Sequence, residues 1–120
     1  MNIKELCSRY AAGQRDFRNL NLMAANLRNM NLSGINLSGA NLTKANLTRT
    51  NFSYANLADA ILVGANLTET NFTKANLTNA NLSNANVSDA NFSQAYLHGA
   101  TITKEMDATP DQTSLKASLP

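Results

Sequence analysis

Side chains able to carry out chemistry are few in this sequence and do not occur in catalytic combinations. His98 is the single histidine and Cys7 the single cysteine, so the pattern predicts no metal site. The carboxylates Asp59, Glu69 and Asp89 imply no convergent acid pair, and the many serines and threonines have no suitable base nearby. We therefore expect no enzyme, no cofactor and no metal. His98 is expected on the surface, and Cys7 as a small buried apolar residue.

The composition indicates one modest domain with little net charge. Only 15% of the 120 residues are charged, and ten Lys and Arg oppose eight Asp and Glu, for a net charge of +2. This is too small to predict a nucleic-acid or membrane-surface partner. The opening stretch MNIKELCSRY has no long apolar run, and a single cysteine requires no oxidising compartment. The predicted location is the cytoplasm.

The elements that must position any site come from a strict five-residue pattern. A step of five scatters side chains around a helix and alternates them across a strand, so neither element gives one core. The conflict disappears if the chain turns a corner once per pentapeptide, always in one sense. The large apolar residue, here position i, recurs in eighteen consecutive pentapeptides: Phe17, Leu22, Leu27, Leu32, Leu37, Leu42, Leu47, Phe52, Leu57, Leu62, Leu67, Phe72, Leu77, Leu82, Val87, Phe92, Leu97 and Ile102.

The other four positions of each pentapeptide divide into one inward and three outward places. Position i−2 should also point inward, and it is Ala in twelve of the eighteen pentapeptides. Position i−1 is Asn in fourteen, and i+1 is Ser or Thr in twelve, as suits a chain that turns often. Phe52, Phe72 and Phe92 are twenty residues apart, which predicts four pentapeptides per coil and one stacked column of rings. Neighbouring coils should pair as parallel strands.

Runs such as ANLTKANLTRTNFSYANLADA resemble the pentapeptide-repeat family, whose pattern is written A(D/N)LXX. The resemblance covers residues 15 to 104, and the opening RYAAGQRDFRNLNL is similar to small cyanobacterial members. It implies an all-β solenoid, a right-handed quadrilateral parallel β-helix with four pentapeptides per coil. Eighteen pentapeptides would then make about 4.5 coils.

The resemblance also orders the candidate functions. It implies a non-catalytic scaffold or protein-interaction module with a protein partner, present as a monomer or weak dimer. One branch of the family protects DNA gyrase, apparently by imitating DNA, and this is the alternative. The net positive charge and the short rod disfavour that role, as do Lys44, Arg49 and Lys74 on the outer walls. Direct nucleic-acid binding is a third class, and scattered basic residues disfavour it.

Both ends of a solenoid need covering. Asn2 is a good helix cap and Glu5 follows at capping-box spacing, which predicts a short amphipathic helix over residues 3 to 12. We expect this helix to plug the first coil, and a partner-binding helix is the alternative. The predicted segments are a helical cap at 1–14, the repeat at 15–104, and a C-terminal cap or flexible tail at 105–120. Met106, Leu115 and Leu119 are candidates to fold over the last coil.

Breaks in the outward pattern mark the candidate contact surface. At 60–64, AILVG, Ile61 replaces the usual Asn and Val63 replaces Ser or Thr. Met23 should lie in the same column as Val63, two coils away, and Tyr54 is a second possible anchor. Exposed apolar patches can mark contact sites, although single exposed apolar residues are common on any surface. Ile61, Val63 and Tyr54 are the residues predicted to contact a protein partner.

Overall fold

The computed structural model describes residues 1–102, which form one helix followed by a regular series of coils. The helix α1 spans Ile3–Ala11, one residue shorter than the sequence predicts. The predictions made for residues 105–120, including the packing of Met106, Leu115 and Leu119, lie outside the described residues.

Neighbouring coils are joined by parallel backbone pairing with a period of twenty residues. Fourteen bridges, from Asp16↔Asn36 to Asn81↔Thr101, each link an i−1 residue to the i−1 residue four pentapeptides later. Between residues 1 and 102 these bridges are isolated, and none extends into the continuous strands that the sequence pattern predicts. The reason is local, because the two residues after each central one already belong to a turn.

A turn closes every pentapeptide. The amide of residue i+3 donates to the carbonyl of residue i, as from Ala45 N to Leu42 O at 3.0 Å. Every i+2 residue from Asn19 to Gly99 has a positive φ, which includes thirteen non-glycine residues and four glycines. Positive φ at the third turn residue alone is the mark of a type II turn, which favours Gly or Asn there. Lys, Asp and Tyr nevertheless take this conformation, so the stacking of the coils imposes it.

The asparagines at i−1 complete the hydrogen bonding of the backbone. Within a repeat, the amides of residues i and i+2 donate to the next coil, that of i−1 donates to the previous coil, and that of i+3 closes the turn. The remaining amide, at i+1, donates to the Asn side chain, as from Ser38 N to Asn36 Oδ1 at 3.1 Å. Because buried backbone groups need partners, an i−1 Asn supplies the one acceptor that the coils do not.

The central residues form a single core along the axis of the coils, as predicted. From Phe17 to Leu97 their side chains are at most 3% exposed, and Ile102 at the end is partly buried. Phe52 and Phe72 stack with ring centroids 5.8 Å apart, and Phe72 and Phe92 at 5.1 Å. The i−2 alanines are buried from Ala40 to Ala95. This packing of large against small side chains leaves the outward positions to meet solvent or a partner.

Helix α1 packs onto the first coil. Asn2 caps it by accepting a hydrogen bond from Glu5 N at 2.8 Å, as predicted, while the Glu5 carboxylate pairs with Arg9. Leu6 is fully buried in the core cluster, and the Tyr10 hydroxyl donates to Ser33 O at 2.6 Å. Cys7, predicted to be buried, is only half-buried.

Candidate functional site

Ile61 and Val63 interrupt a polar wall of the solenoid. Ile61 is bridged to Asn41 on one side and Asn81 on the other, and its side chain is 39% exposed. Val63 is half-buried in the same pentapeptide. Met23 lies two coils before Val63 in register and is 54% exposed. Ile61 and Val63 therefore form an apolar patch on this wall, which we call the Ile61 patch, and Thr43 separates Met23 from it in the column.

The Ile61 patch also lacks a hydrogen bond that its neighbours have. In the coil before it, Thr43 N donates to Asn41 Oδ1 at 3.1 Å, and in the coil after it Ser83 N donates to Asn81 Oδ1 at 3.0 Å. Ile61 has no polar side-chain atom, so it cannot accept from Val63 N. Ile at this position thus gives up a hydrogen bond that Asn supplies in the neighbouring coils.

Tyr54 does not join the Ile61 patch. It lies at position i+2 of the pentapeptide 50–54, and the whole pentapeptide 55–59 separates it from the one that contains Ile61. Its side chain is 63% exposed, with φ of 62°. The predicted contact residues therefore occupy two separate surfaces.

Tyr54 instead shares a cleft with residues from the next two coils. Lys74, one coil on, places Nζ 3.4 Å from the Tyr54 hydroxyl and 5.4 Å from the ring centroid. Gln94 and Tyr96 complete a cleft of about 460 Å³, and Tyr96 is 59% exposed. Tyr96 was missed by the sequence reasoning, although it stands at an i−1 position where the repeat predicts Asn. We call this the Tyr54–Tyr96 cleft.

Charged side chains elsewhere on the surface pair locally. Arg49 Nε lies 2.8 Å from Glu69, one coil on in the same column. Arg18 hydrogen bonds to Asp16 and thereby holds the pKa of that carboxyl below its ordinary value. His98 is exposed, as predicted. Within residues 1–102 no three metal-binding side chains come together, and no helix there is long and apolar enough to cross a membrane.

Comparison with known proteins places this repeat in context. The sequence-family model described as pentapeptide repeats matches this chain in eight copies, over residues 21–53, 50–89 and 75–104. No curated protein matches the chain significantly. Among solved structures, a pentapeptide repeat protein of Nostoc PCC 7120 is 31% identical over 98% of this chain and 93% of its own, with a TM-score of 0.56.

Two further solved structures are similar. A pentapeptide repeat protein from the Arabidopsis thaliana thylakoid lumen is 28% identical over 77% of this chain and 68% of its own, with a TM-score of 0.58. HetL, involved in heterocyst differentiation regulation in Nostoc sp. strain PCC 7120, is 37% identical over 83% of this chain, with a TM-score of 0.45. The chain spans 46% of the length of HetL.

Proposed function

This chain belongs to the pentapeptide repeat family, and from that premise we infer that it is a non-catalytic protein-interaction module. Its fold is accordingly a right-handed β-helix solenoid. We further infer four-sided coils of four pentapeptides each, supported by the twenty-residue spacing of the bridges. The segments proposed are a helical cap at 1–14, the solenoid at 15–104, and a C-terminal cap or tail at 105–120.

The filled interior directs binding to the outer surface. The central residues and the alanines at i−2 occupy the axis, and the described ones are almost all buried. A ligand would therefore meet outward side chains at i−1, i+1 and i+2. Most of these are Asn, Ser and Thr whose side chains are bonded locally, as Asn71 Oδ1 accepts from Thr73 N at 2.9 Å and from Thr73 Oγ1 at 2.6 Å.

The exposure of Ile61 is the observation that carries the proposal. Its side chain is 39% exposed in a column whose neighbours, Asn41 and Asn81, both bond the backbone. Leaving out such a bond costs about 0.5–1.5 kcal/mol. Because Ile61 is only partly buried in the free protein, its burial offsets only part of this free-energy cost. Further burial of the side chain against a partner would offset the rest. The Ile61 patch is therefore suited to contact another protein.

The test compares partner capture by the wild type and by Ile61→Asn plus Val63→Ser. Both substitutions restore the common residue of the repeat, so the fold should be kept. The matched control is Ala58→Ser, which restores Ser at a half-buried i+1 position of another pentapeptide. We expect the double variant to lose a partner that the wild type and the control retain, measured by affinity capture from the source organism and then by titration with the purified partner. Equal recovery by all three forms would contradict the proposal.

The remaining proposals concern the state of the protein in the cell. We propose a cytoplasmic monomer or weak dimer that binds neither nucleic acid nor membranes. Light scattering coupled to size exclusion measures the oligomeric state. Tight, salt-sensitive retention of DNA on filters at low salt would contradict the proposed absence of nucleic-acid binding. Inhibition of gyrase supercoiling, or protection of gyrase from a quinolone, would favour the DNA-mimic alternative instead.

A further inference from the structure

Three side chains of the Tyr54–Tyr96 cleft form a ladder, because they stand at equivalent backbone positions in successive coils. Tyr54, Lys74 and Gln94 occupy position i+2 in three successive coils, with φ of 62°, 59° and 59°. Coils that pair in parallel lie about 4.8 Å apart, so these side chains are neighbours on one edge. Tyr96 flanks the ladder from the next pentapeptide, and the four side chains line a cleft of about 460 Å³.

Lys74 is the charged group of this cleft, and it has no carboxylate partner within residues 1–102. Its Nζ contacts Tyr54 through the hydroxyl, at 3.4 Å, and over the ring, at 5.4 Å. The equivalent ladder at another corner of the coil is different, because there Arg49 is paired with Glu69 at 2.8 Å. The positive charge of Lys74 is therefore free to attract an anionic group from outside.

The other side chains of the cleft suit a peptide. Tyr54 and Tyr96 are 63% and 59% exposed, and tyrosines of this kind provide large, rigid contact area with a hydroxyl that can donate to a carboxylate. The Gln94 amide offers both a donor and an acceptor, which matches a peptide bond. A single cation does not suit a nucleic-acid backbone, which needs several phosphates neutralised.

We propose that the Tyr54–Tyr96 cleft binds an Asp or Glu side chain on an exposed segment of a protein partner. Lys74 pairs with the carboxylate, Tyr54 and Tyr96 pack against the residues beside it, and Gln94 bonds to the peptide backbone. This site rests on the proposed role as a protein-interaction module, but it lies apart from the Ile61 patch.

The first experiment selects ligands from a random heptapeptide display library on the immobilised full chain. We expect the selected peptides to be enriched in Asp or Glu at one position. A selected peptide is then labelled, and its affinity is measured by fluorescence anisotropy for each variant. Lys74→Gln should weaken binding about tenfold, because a hydrogen-bonded charge pair is lost. Tyr96→Asn, which installs the residue found at positions 36, 56 and 76 of the same column, should also weaken binding.

Lys44→Gln is the matched control. Lys44 is also exposed, occupies position i+2 with φ of 59°, and carries the same charge. It should leave the affinity unchanged. Replacing the selected acid in the peptide by its amide should weaken binding to the wild type but not to Lys74→Gln, and this coupling identifies Lys74 as the charge partner.

Several outcomes would overturn the cleft proposal. These are selection of peptides without an acid, failure to select any peptide, equal weakening by Lys44→Gln, or tighter binding of an oligouridylate than of the peptide. None of them bears on the Ile61 patch, whose own test is capture of a partner. Conversely, Ile61→Asn plus Val63→Ser should bind the acidic peptide as the wild type does, so the two proposals can fail separately.

Discussion

Gly34 and Gly39 form a natural pair for measuring what the corner conformation costs. Both occupy position i+2 of successive pentapeptides, with φ of 72° and 71°. They differ in their surroundings. A Cβ added to Gly34 would meet nothing within 4 Å, whereas one added to Gly39 would overlap the side-chain oxygen of Asn19 in the previous coil. Replacing each by Ala therefore separates backbone strain from steric overlap.

The expected costs follow from these two terms. An L-residue in the left-handed region costs roughly 1–2 kcal/mol, and the lower chain entropy of unfolded Ala returns roughly 0.5–1 kcal/mol of this. Gly34→Ala should thus destabilise by about 0–1.5 kcal/mol. At Gly39 the Asn19 side chain must also leave its rotamer, which adds about 0.5–1.5 kcal/mol. Gly39→Ala should therefore cost about 0.5–3 kcal/mol, and more than Gly34→Ala.

The assay is a double-mutant cycle by urea unfolding, with the free energy of unfolding taken from each curve. Asn19→Ala removes the overlapping amide, so the double variant Asn19→Ala plus Gly39→Ala should regain about 0.5–1.5 kcal/mol relative to the sum of the single changes. Gly34→Ala combined with Asn19→Ala should be additive. Equal costs for Gly34→Ala and Gly39→Ala, or a cycle without coupling, would refute the steric part of the reasoning. A clear gain in stability for Gly34→Ala would refute the strain part.

Three further predictions test the repeat. In urea unfolding, Asn66→Ala should lower the free energy of unfolding by about 1–2 kcal/mol and Asn56→Ala by about 0.5–1 kcal/mol. The reason is that Asn66 accepts from a backbone amide and a threonine hydroxyl, whereas Asn56 accepts from an amide alone. A larger cost for Asn56→Ala than for Asn66→Ala would contradict this hydrogen-bond argument. Phe72→Leu should cost about 1–3 kcal/mol by the same measurement, since it breaks both ring stacks and leaves a cavity, and an unchanged midpoint would contradict the packing argument. Arg18→Gln should raise the pKa of Asp16 in an NMR titration. The stabilisation by this pair is present above the ordinary carboxyl pKa and disappears as the pH falls through the lowered folded value, so an unshifted Asp16 pKa would show that the bond is not formed.

The core could be predicted from the sequence because its register is overdetermined. Eighteen large apolar residues at a fixed step allow one arrangement that buries them together, and the column from Phe17 to Leu97 is buried accordingly. The twenty-residue spacing of the phenylalanines likewise predicted their stacking. The Asn2 cap was predictable for a local reason, since its side chain need only reach three residues forward.

The corner conformation and the cleft were harder to predict. Intrinsic preference allows a positive φ at Gly and Asn, yet Lys44, Glu69 and Tyr54 adopt it because the hydrogen bonds of neighbouring coils hold them there. The approach of Lys74 to Tyr54 depends on the rotamers of two long exposed side chains, which a repeat pattern does not encode. Tyr96 carried the one usable signal, a departure from Asn at i−1, and the same signal had already identified Ile61.

The hydrogen bonding of this solenoid explains why the i−1 residue can depart from Asn while the coil stays intact. In the repeats that have a neighbouring coil on both sides, four of the five amides are bonded by backbone carbonyls, and these bonds do not depend on the side chain. The fifth depends on the i−1 residue, so a change there costs roughly one hydrogen bond and leaves the coil intact. Ile61 and Tyr96 each give up that bond and place an apolar or aromatic side chain on the surface. The stability of the free protein favours Asn at both positions by this term, and we propose that contact with a partner offsets it. If Ile61→Asn and Tyr96→Asn left every binding measurement unchanged, the two departures would be no more than tolerated substitutions.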